Sequence, residues 1–346
     1  MATQQYVDGV LLHYGERLLW QDQPTTKTQK GNQELTKVGR LIGRSMAGGG
    51  VSADAVRGHV QALVRRSPQV VVKVTGGGGD MKRISAHIDY IARGGRYKKK
   101  DEEELELETE AGEVLKGKEA RQQLRDEWEM GGAPIPKEIQ AEGRDGAVKY
   151  RGRREALNII LSMPPGVDRE LVKAAARETI KDLFASNHQY VMAHHEDTDK
   201  QHAHVCVKMV GRDGKRLNPR KADLEFWRIL FAKNLNRRGV EAVATRRRVR
   251  LQRAKGDGQA VYQMKARGVT PQNLATAQTQ LKAQEVARQN QDATVEAYQH
   301  ISDALAQSPD QAQRDLSAAL QTRLEHDGIR LNKPAQPVVV APTMGR

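Results

Sequence analysis

Residues 189–210 read "QYVMAHHEDTDKQHAHVCVKMV". Two runs, QYVMAHH (189–195) and AHVCVKMV (203–210), flank the short polar turn EDTDKQ. Such a turn returns the chain antiparallel, so the segment reads as two paired strands. Side chains alternate faces along a strand. His202, His204 and Cys206 therefore share one face, while Ala203, Val205 and Val207 share the other and can enter a core. The Cα atoms of His202 and His204 lie roughly 6.5 Å apart, twice the strand rise. Two imidazoles at that spacing can converge on one ion, and His195 on the facing strand can supply a third nitrogen. Three protein ligands leave coordination positions open for substrate, as a catalytic metal requires. His194 faces away from His195 and reads as a packing or surface residue; its use in place of His195 stays open. Asp197 and Asp199 lie in the turn, where one can accept a hydrogen bond from a ligand imidazole and set its tautomer. Cys206 reads as buried filler. The plain alternative is four histidines scattered on an exposed hairpin.

Working outward, QVVVKV (69–74) and EALNIILSMPPG (155–166) read as two further strands, the second stopped by Pro164-Pro165-Gly166. After the first comes the loop TGGGGD (75–80), then a helix in MKRISAHIDYIARGG. Ile84, Ile88 and Ile91 fall on one face of that helix, and Gly94-Gly95 is its expected stop. A helix over 168–186 carries Asp168 as its cap, and another over 221–239 offers Leu224, Trp227, Ile229, Phe231 and Leu235 for packing. Residues 96–125 turn from RYKKKD to EEELELETE and read as a solvated excursion or polar helix. The order strand-helix, strand-helix, strand-strand-helix predicts an α/β fold: an antiparallel central sheet flanked by helices, with helical N- and C-terminal extensions. The expected boundaries are an accessory segment at 1–67, a main domain at 68–250, a polar helical region at 251–330 and a flexible tail at 331–346. Within the first, Ser52 caps a helix that runs to Arg65-Arg66 before Pro68.

The composition narrows the partners. Lys plus Arg total 57 against 43 Asp plus Glu, a net charge of +14. That balance points to a polyanion, nucleic acid before membrane, against the blander reading of a charged surface that contacts nothing. No apolar run approaches the ~18 residues of a membrane span. The start, MATQQYVDGVLLHYGERLL, lacks a basic stretch followed by an apolar core, so no signal peptide is expected. One cysteine rules out an internal disulfide and a Cys-rich zinc module, which fits a reducing cytoplasm.

A metal facing a polyanion suggests phosphodiester chemistry, with a metal-bound water or a side chain as nucleophile. Tyr90 sits about 120° around its helix from the isoleucine stripe, so its ring can leave the core edge while the helix holds it. Together with its surroundings, this tyrosine resembles the first motif of the conjugative relaxases. These are mobilisation endonucleases of the HUH superfamily, MobP type, the group that includes the T-DNA border endonuclease. Their pattern of tyrosine, Ile or Leu, Ala or Ser, Arg, any residue and Gly is matched by YIARGG. Their strand ending in serine before a Pro/Gly turn is matched by NIILSMPPG with Ser162. Their H-x-D…H-x-H hairpin is matched by His195, Asp197, His202 and His204. The resemblance spans residues 69–250, and Lys208 stands where the family often has Asn.

The resemblance implies an HUH relaxase-type sandwich that nicks one DNA strand at a transfer origin. Tyr90 would attack the scissile phosphate to give a 5′-phosphotyrosyl adduct and a free 3′-hydroxyl. Because a phenol has a reference pKa of about 10, it must be activated. His195, His202 and His204 would hold Mg²⁺ or Mn²⁺. Asp197 would orient a histidine, and Ser162 would contact DNA beside the cut. Arg93, Arg96, Lys98, Lys99 and Lys100, and separately Arg246, Arg247, Arg248 and Arg250, would track phosphates of single-stranded and origin-region DNA. Tyr97 is the rival nucleophile and can stack on a base. The implied partners are an accessory relaxosome DNA-binding protein and the coupling protein of a type IV secretion system. The implied location is the bacterial cytoplasm, with export to the recipient cell alongside the transferred strand. Two other readings remain: a rolling-circle replication initiator, in which the tyrosine normally follows the histidine pair, and a non-catalytic DNA-binding accessory protein with a structural metal.

Overall fold

A computed structural model describes residues 2–20, 52–98, 103–130, 135, 153–195, 200–251, 264–268, 277–329 and 331. These divide into two compact units: residues 67–244 form one, and residues 2–20, 52–66 and those from 245 onward form the other. The strands are β1 (Val71–Gly76), β2 (Leu107–Thr109), β3 (Val114–Leu115), β4 (Ala156–Ser162), β5 (Tyr190–His195) and β6 (His202–Lys208). The named helices are α1 (Gln4–Trp20), α2 (Ala53–Val64), α3 (Met81–Ile91), α4 (Lys118–Met130), α5 (Arg169–Ile180), α6 (Lys221–Asn236), α7 (Ala277–Ala306) and α8 (Gln311–His326).

In the first unit the strands form one sheet, ordered β1-β4-β6-β5-β2-β3. Every adjacent pair is antiparallel, and helices cover both faces, as the sequence predicts. Val72, Ile159, Met192, Ala203, Val205 and Val207 form a core with residues of α5 and α6, including Ala176, Trp227 and Phe231. On the other face Ile84, Ile88 and Ile91 of α3 and Leu124 and Trp128 of α4 pack with Val191, Ala193 and Cys206. The three isoleucines are fully buried, each worth roughly 1.5–3 kcal/mol relative to exposure. Cys206 is core filler as expected, and burial pushes its thiol up to about 12.

Asp80 caps α3 by accepting from the Arg83 backbone N–H at 2.8 Å. The glycine loop before it is tight for a packing reason. A Cβ on Gly77 would run into the Ala156 carbonyl, and one on Gly78 would meet Ile84 at 2.5 Å. The helix ends earlier than the two glycines suggest. Arg93 takes the left-handed conformation at φ +53, and Gly94 N–H bonds back to Asp89 C=O at 2.8 Å, the closure of a Schellman-type end. On α6, Trp227, Phe231 and Leu235 are buried, but Ile229 is 41% exposed. It sits about 200° around the helix from Trp227, so Leu230 takes the packing role expected of it.

The largest correction concerns the acidic excursion. Residues 103–130 are integral to the first unit, supplying β2, β3 and α4. Four of their carboxylates are paired: Glu103 with Lys116 at 2.8 Å, Glu104 with Arg121 at 2.5 Å, Glu108 with Arg177 at 2.5 Å and Glu110 with Arg212 at 2.9 Å. Arg177 and Arg212 come from outside the segment, so a charge run read by itself looks merely solvated. Loop residues 131–134 and 136 and tail residues 332–346 lie outside the described residues.

The N- and C-terminal flanks, read separately in the sequence, share one core. Val7 and Leu11 of α1, Val56 and Val60 of α2, Tyr298, Ile301 and Leu305 of α7, and Leu320 and Leu324 of α8 pack together. Ser52 caps α2 as expected, accepting from Ala55 N–H at 3.1 Å. Tyr298 Oη donates to Val249 C=O at 2.7 Å and stands 2.8 Å from His59 Nε2. With its proton committed to Val249, the phenol oxygen accepts from His59, which fixes the Nε2–H tautomer.

Burial holds His59 down at about 4 rather than 6.5, so the fold keeps it neutral. Its contribution is complete above pH 6.5 and is lost as pH falls toward 4, up to about 3 kcal/mol. Urea melts at pH 7 and pH 4.5, following the helical unit, should show this loss. A His59→Phe variant should have a visibly flatter pH profile; equal slopes would refute the assignment.

Candidate functional site

The strand register lines up the side chains read from the sequence. Val71 pairs with Ser162, Ser162 with His202, and His202 with His195, making one row across four strands. The next row runs Lys73, Ile160, His204 and Ala193. Directly opposed residues in antiparallel strands share a face, so Ser162 and the three histidines all stand on the side that carries α3. Ligand atoms of His195, His202 and His204 lie within 4.8 Å of one another. Ring centroids are 4.4 Å apart for His195–His204, 5.1 Å for His202–His204 and 5.2 Å for His195–His202. His195 and His204 are buried and His202 is half-buried.

Backbone carbonyls set two of the tautomers. His195 Nε2 lies 2.8 Å from Ile91 C=O, and His202 Nδ1 lies 2.9 Å from Lys200 C=O. A carbonyl only accepts, so each of these nitrogens carries the proton. The lone pair is left on His195 Nδ1 and on His202 Nε2. This is the usual support of a ligand imidazole: one nitrogen bonded to the protein, the other presented to the ion. The donor set therefore fits a divalent metal. His194 is not part of this cluster; it pairs across to Ala203 on the other face. Burial holds its imidazole down at about 4. Asp197 and Asp199 lie outside the described residues.

Tyr90 is 43% exposed and stands beside the histidines. Its ring is edge-on to His204 at 5.6 Å and 6.2 Å from His195. The bond from His195 to Ile91 ties the histidine cluster to the residue next to the tyrosine. Tyr97, on the turn Gly95–Tyr97, meets Tyr90 edge-on at 5.4 Å. Ser162 is half-buried in the row beside His202. Arg93 and Lys98 follow the tyrosine, Lys98 exposed. Lys99, Lys100 and the Arg96 side chain lie outside the description. Arg246, Arg247, Arg248 and Arg250 belong to the helical unit, not to the unit that carries the histidines.

Two residues take roles that the sequence reading did not assign. His87, one turn before Tyr90, stacks at 6.0 Å on its ring and lies edge-on to His204 at 6.5 Å. Burial, and secondarily His195, holds it down at about 4. The available signal was its i, i+3 spacing from Tyr90 on a helix. Lys208 is buried, and its Nζ donates to Trp128 C=O at 2.7 Å and Gln189 Oε1 at 3.3 Å. It caps the C-terminal turn of α4, where a cation suits the helix dipole. That partner lies 80 residues away, beyond any local pattern.

Residues 90–239 match the family model for relaxases described as MobA/VirD2-like, nuclease domain. The matched span opens at Tyr90 and includes Ser162 and all three clustered histidines. No curated protein matches the chain by sequence.

If the three imidazoles bind an ion, Mn²⁺ should raise the melting temperature of the native protein in a saturable way. His202→Ala and His204→Ala should each lose most of that shift while still melting cooperatively. An undiminished shift in both would exclude this site.

Proposed function

Because residues 90–239 match the MobA/VirD2-like relaxase nuclease-domain model, we propose that the chain is a site- and strand-specific DNA nickase and transesterase. On this reading it cleaves at the nick site of a transfer origin and starts conjugative transfer or mobilisation. The observation that carries the mechanism is the exposed Tyr90 ring 5.6 Å from His204, beside the histidine cluster.

Tyr90 Oη attacks the scissile phosphorus and loses its proton. The bond from phosphorus to the 3′-oxygen breaks, and that oxygen leaves as the 3′-hydroxyl after gaining a proton. The DNA 5′-phosphate remains on the tyrosine. One phosphodiester replaces another, so the step is nearly isoenergetic and needs no nucleotide cofactor. The reverse attack by a 3′-hydroxyl rejoins the strand. His195, His202 and His204 would hold Mg²⁺ or Mn²⁺, which supplies charge stabilisation at a non-bridging phosphate oxygen. Asp197 retains its proposed role of orienting a histidine.

Ser162 contacts the strand beside the cut. Its row continues outward to Val71, 46% exposed, and Lys73 is exposed on the same face. The DNA strand runs over these positions, with Arg93, Arg96, Lys98, Lys99 and Lys100 tracking its phosphates; Arg246, Arg247, Arg248 and Arg250 are separate candidates for phosphate contact. The partners follow from the same reading: an accessory DNA-binding protein at the origin and a secretion-channel coupling protein. No helix among the described residues is long and apolar enough to cross a membrane. The helical unit is a candidate seat for the coupling-protein contact. Truncation after Arg250 is a poor test of that, since it removes α7 and α8 and with them the core partners of α1 and α2.

With Mn²⁺ and an oligonucleotide from the element's own origin, the protein should form an adduct that survives denaturation. Tyr90→Phe should abolish the adduct, by at least ~10³-fold, while DNA affinity stays within about threefold. Tyr97→Phe should retain it. An adduct persisting in Tyr90→Phe sinks the assignment, and DNA binding without any cleavage would favour an accessory protein with a structural metal.

A further inference from the structure

The acidic segment 103–130 takes no part in the reaction written above, yet it grips the end of the tyrosine helix at several points. Arg121 of α4 is 3% exposed. Its Nε donates to Asp89 Oδ1 at 2.9 Å and its Nη1 to Glu104 Oε2 at 2.5 Å. Arg125 Nη2 donates to the same Asp89 oxygen at 2.6 Å. Asp89 immediately precedes Tyr90. Leu105 N–H bonds to Ala92 C=O at 2.8 Å. The Arg121 guanidinium lies against Gly94, where a Cβ would sit 2.5 Å from it. Leu107, Leu124 and Trp128 of the segment are buried with Ile84, Ile88 and Ile91 of α3. The same segment is joined to the strand of His195, since Glu108 and Thr109 of β2 pair with Met192 and Val191 of β5.

Tyr90 needs such support. Its side chain is 43% exposed, so its ring contacts with His87, Tyr97 and His204 enclose it only in part. The backbone just beyond it leaves the helix through two left-handed residues, Arg93 at φ +53 and Gly95 at φ +56. The phenol can address a phosphate beside the histidines only if that turn is held from outside.

We propose that Arg121 is a positioning residue for Tyr90. Bridging Asp89 and Glu104 beneath Gly94, it makes segment 103–130 a brace between the nucleophile's helix and the strand of His195. The role rests on Tyr90 being the nucleophile. Arg121 touches neither DNA nor metal in this assignment and acts through the backbone of residues 89–95. A displacement of about 1 Å in a reacting group can lower a rate by about 10²-fold. Lysine would keep the charge but lose the planar fork that reaches two carboxylates at once.

Two variants test this from opposite directions. Arg121→Lys removes the fork, and Gly94→Ala pushes the guanidinium away while leaving every charge in place. For each, single-turnover adduct formation at saturating oligonucleotide should fall about 30- to 100-fold, with affinity for uncleaved oligonucleotide within twofold of the parent. Fluorotyrosine at position 90, read by ¹⁹F NMR without DNA, should give one narrow line in the parent and a broadened or split line in both variants. A narrow, unshifted line in both, or an equal loss of affinity and rate, overturns the brace. A parent protein with a narrow line but no adduct would instead overturn the nucleophile assignment and leave the conformational result standing.

Discussion

The antiparallel pairing of β6 with both of its neighbours is the constraint from which the site follows. Because β6 lies between β4 and β5, each residue from His202 to Val207 has a direct partner on each side. His202 is thereby flanked by Ser162 and His195, and His204 stands one row further along on the same face. A shift of one residue in either pairing would turn these groups into the opposite core and bring Ala203 and Val205 out. The apolar face of the hairpin thus enforces the polar one. Burial of Ala203, Val205 and Val207 against α5 and α6 holds the histidines in register.

The second link joins the two halves of the site. His195 donates to the carbonyl of Ile91, the residue after Tyr90, so the histidine cluster and the tyrosine helix share a hydrogen bond as well as a core. α3 is amphipathic in a useful sense. Ile84, Ile88 and Ile91 seat it on the sheet, while His87 and Tyr90 lie at the edge of that contact, facing the histidines. Segment 103–130 then closes over the end of the helix. Burying Arg121 with two carboxylates makes their shared geometry strongly preferred, because a partner lost there would leave a buried charge uncompensated.

Much of the fold was legible because it rests on local periodicity. The alternation in AHVCVKMV placed β6, the i, i+4, i+7 isoleucines placed α3, and Asp168 marked the start of α5 by accepting from Leu171 N–H at 3.0 Å. What escaped was nonlocal. Segment 103–130 looks solvated on its own because Glu108 and Glu110 find their arginines outside it, at Arg177 and Arg212. Ile229 was assigned to the core because an apolar residue in an amphipathic helix was read without its angle relative to Trp227. The flanks 1–67 and 251–330 were read as separate because nothing in either stretch shows that the apolar faces of α1 and α2 match those of α7 and α8.

The sequence by itself determined the residue types and their alternation: three histidines able to share a strand face, a tyrosine on a helix edge, a serine ending a strand, and a basic chain around them. Those are properties of spacing, and spacing is written in the chain. Only the tertiary structure decided that Tyr90 lies 5.6 Å from His204 across 114 residues, that His195 and not His194 joins the cluster, and that Arg121 and Lys208 are buried supports rather than surface charge. Such contacts depend on strand order and on which helix covers which face. They are settled by how two amphipathic layers pack on one sheet, which no local pattern encodes.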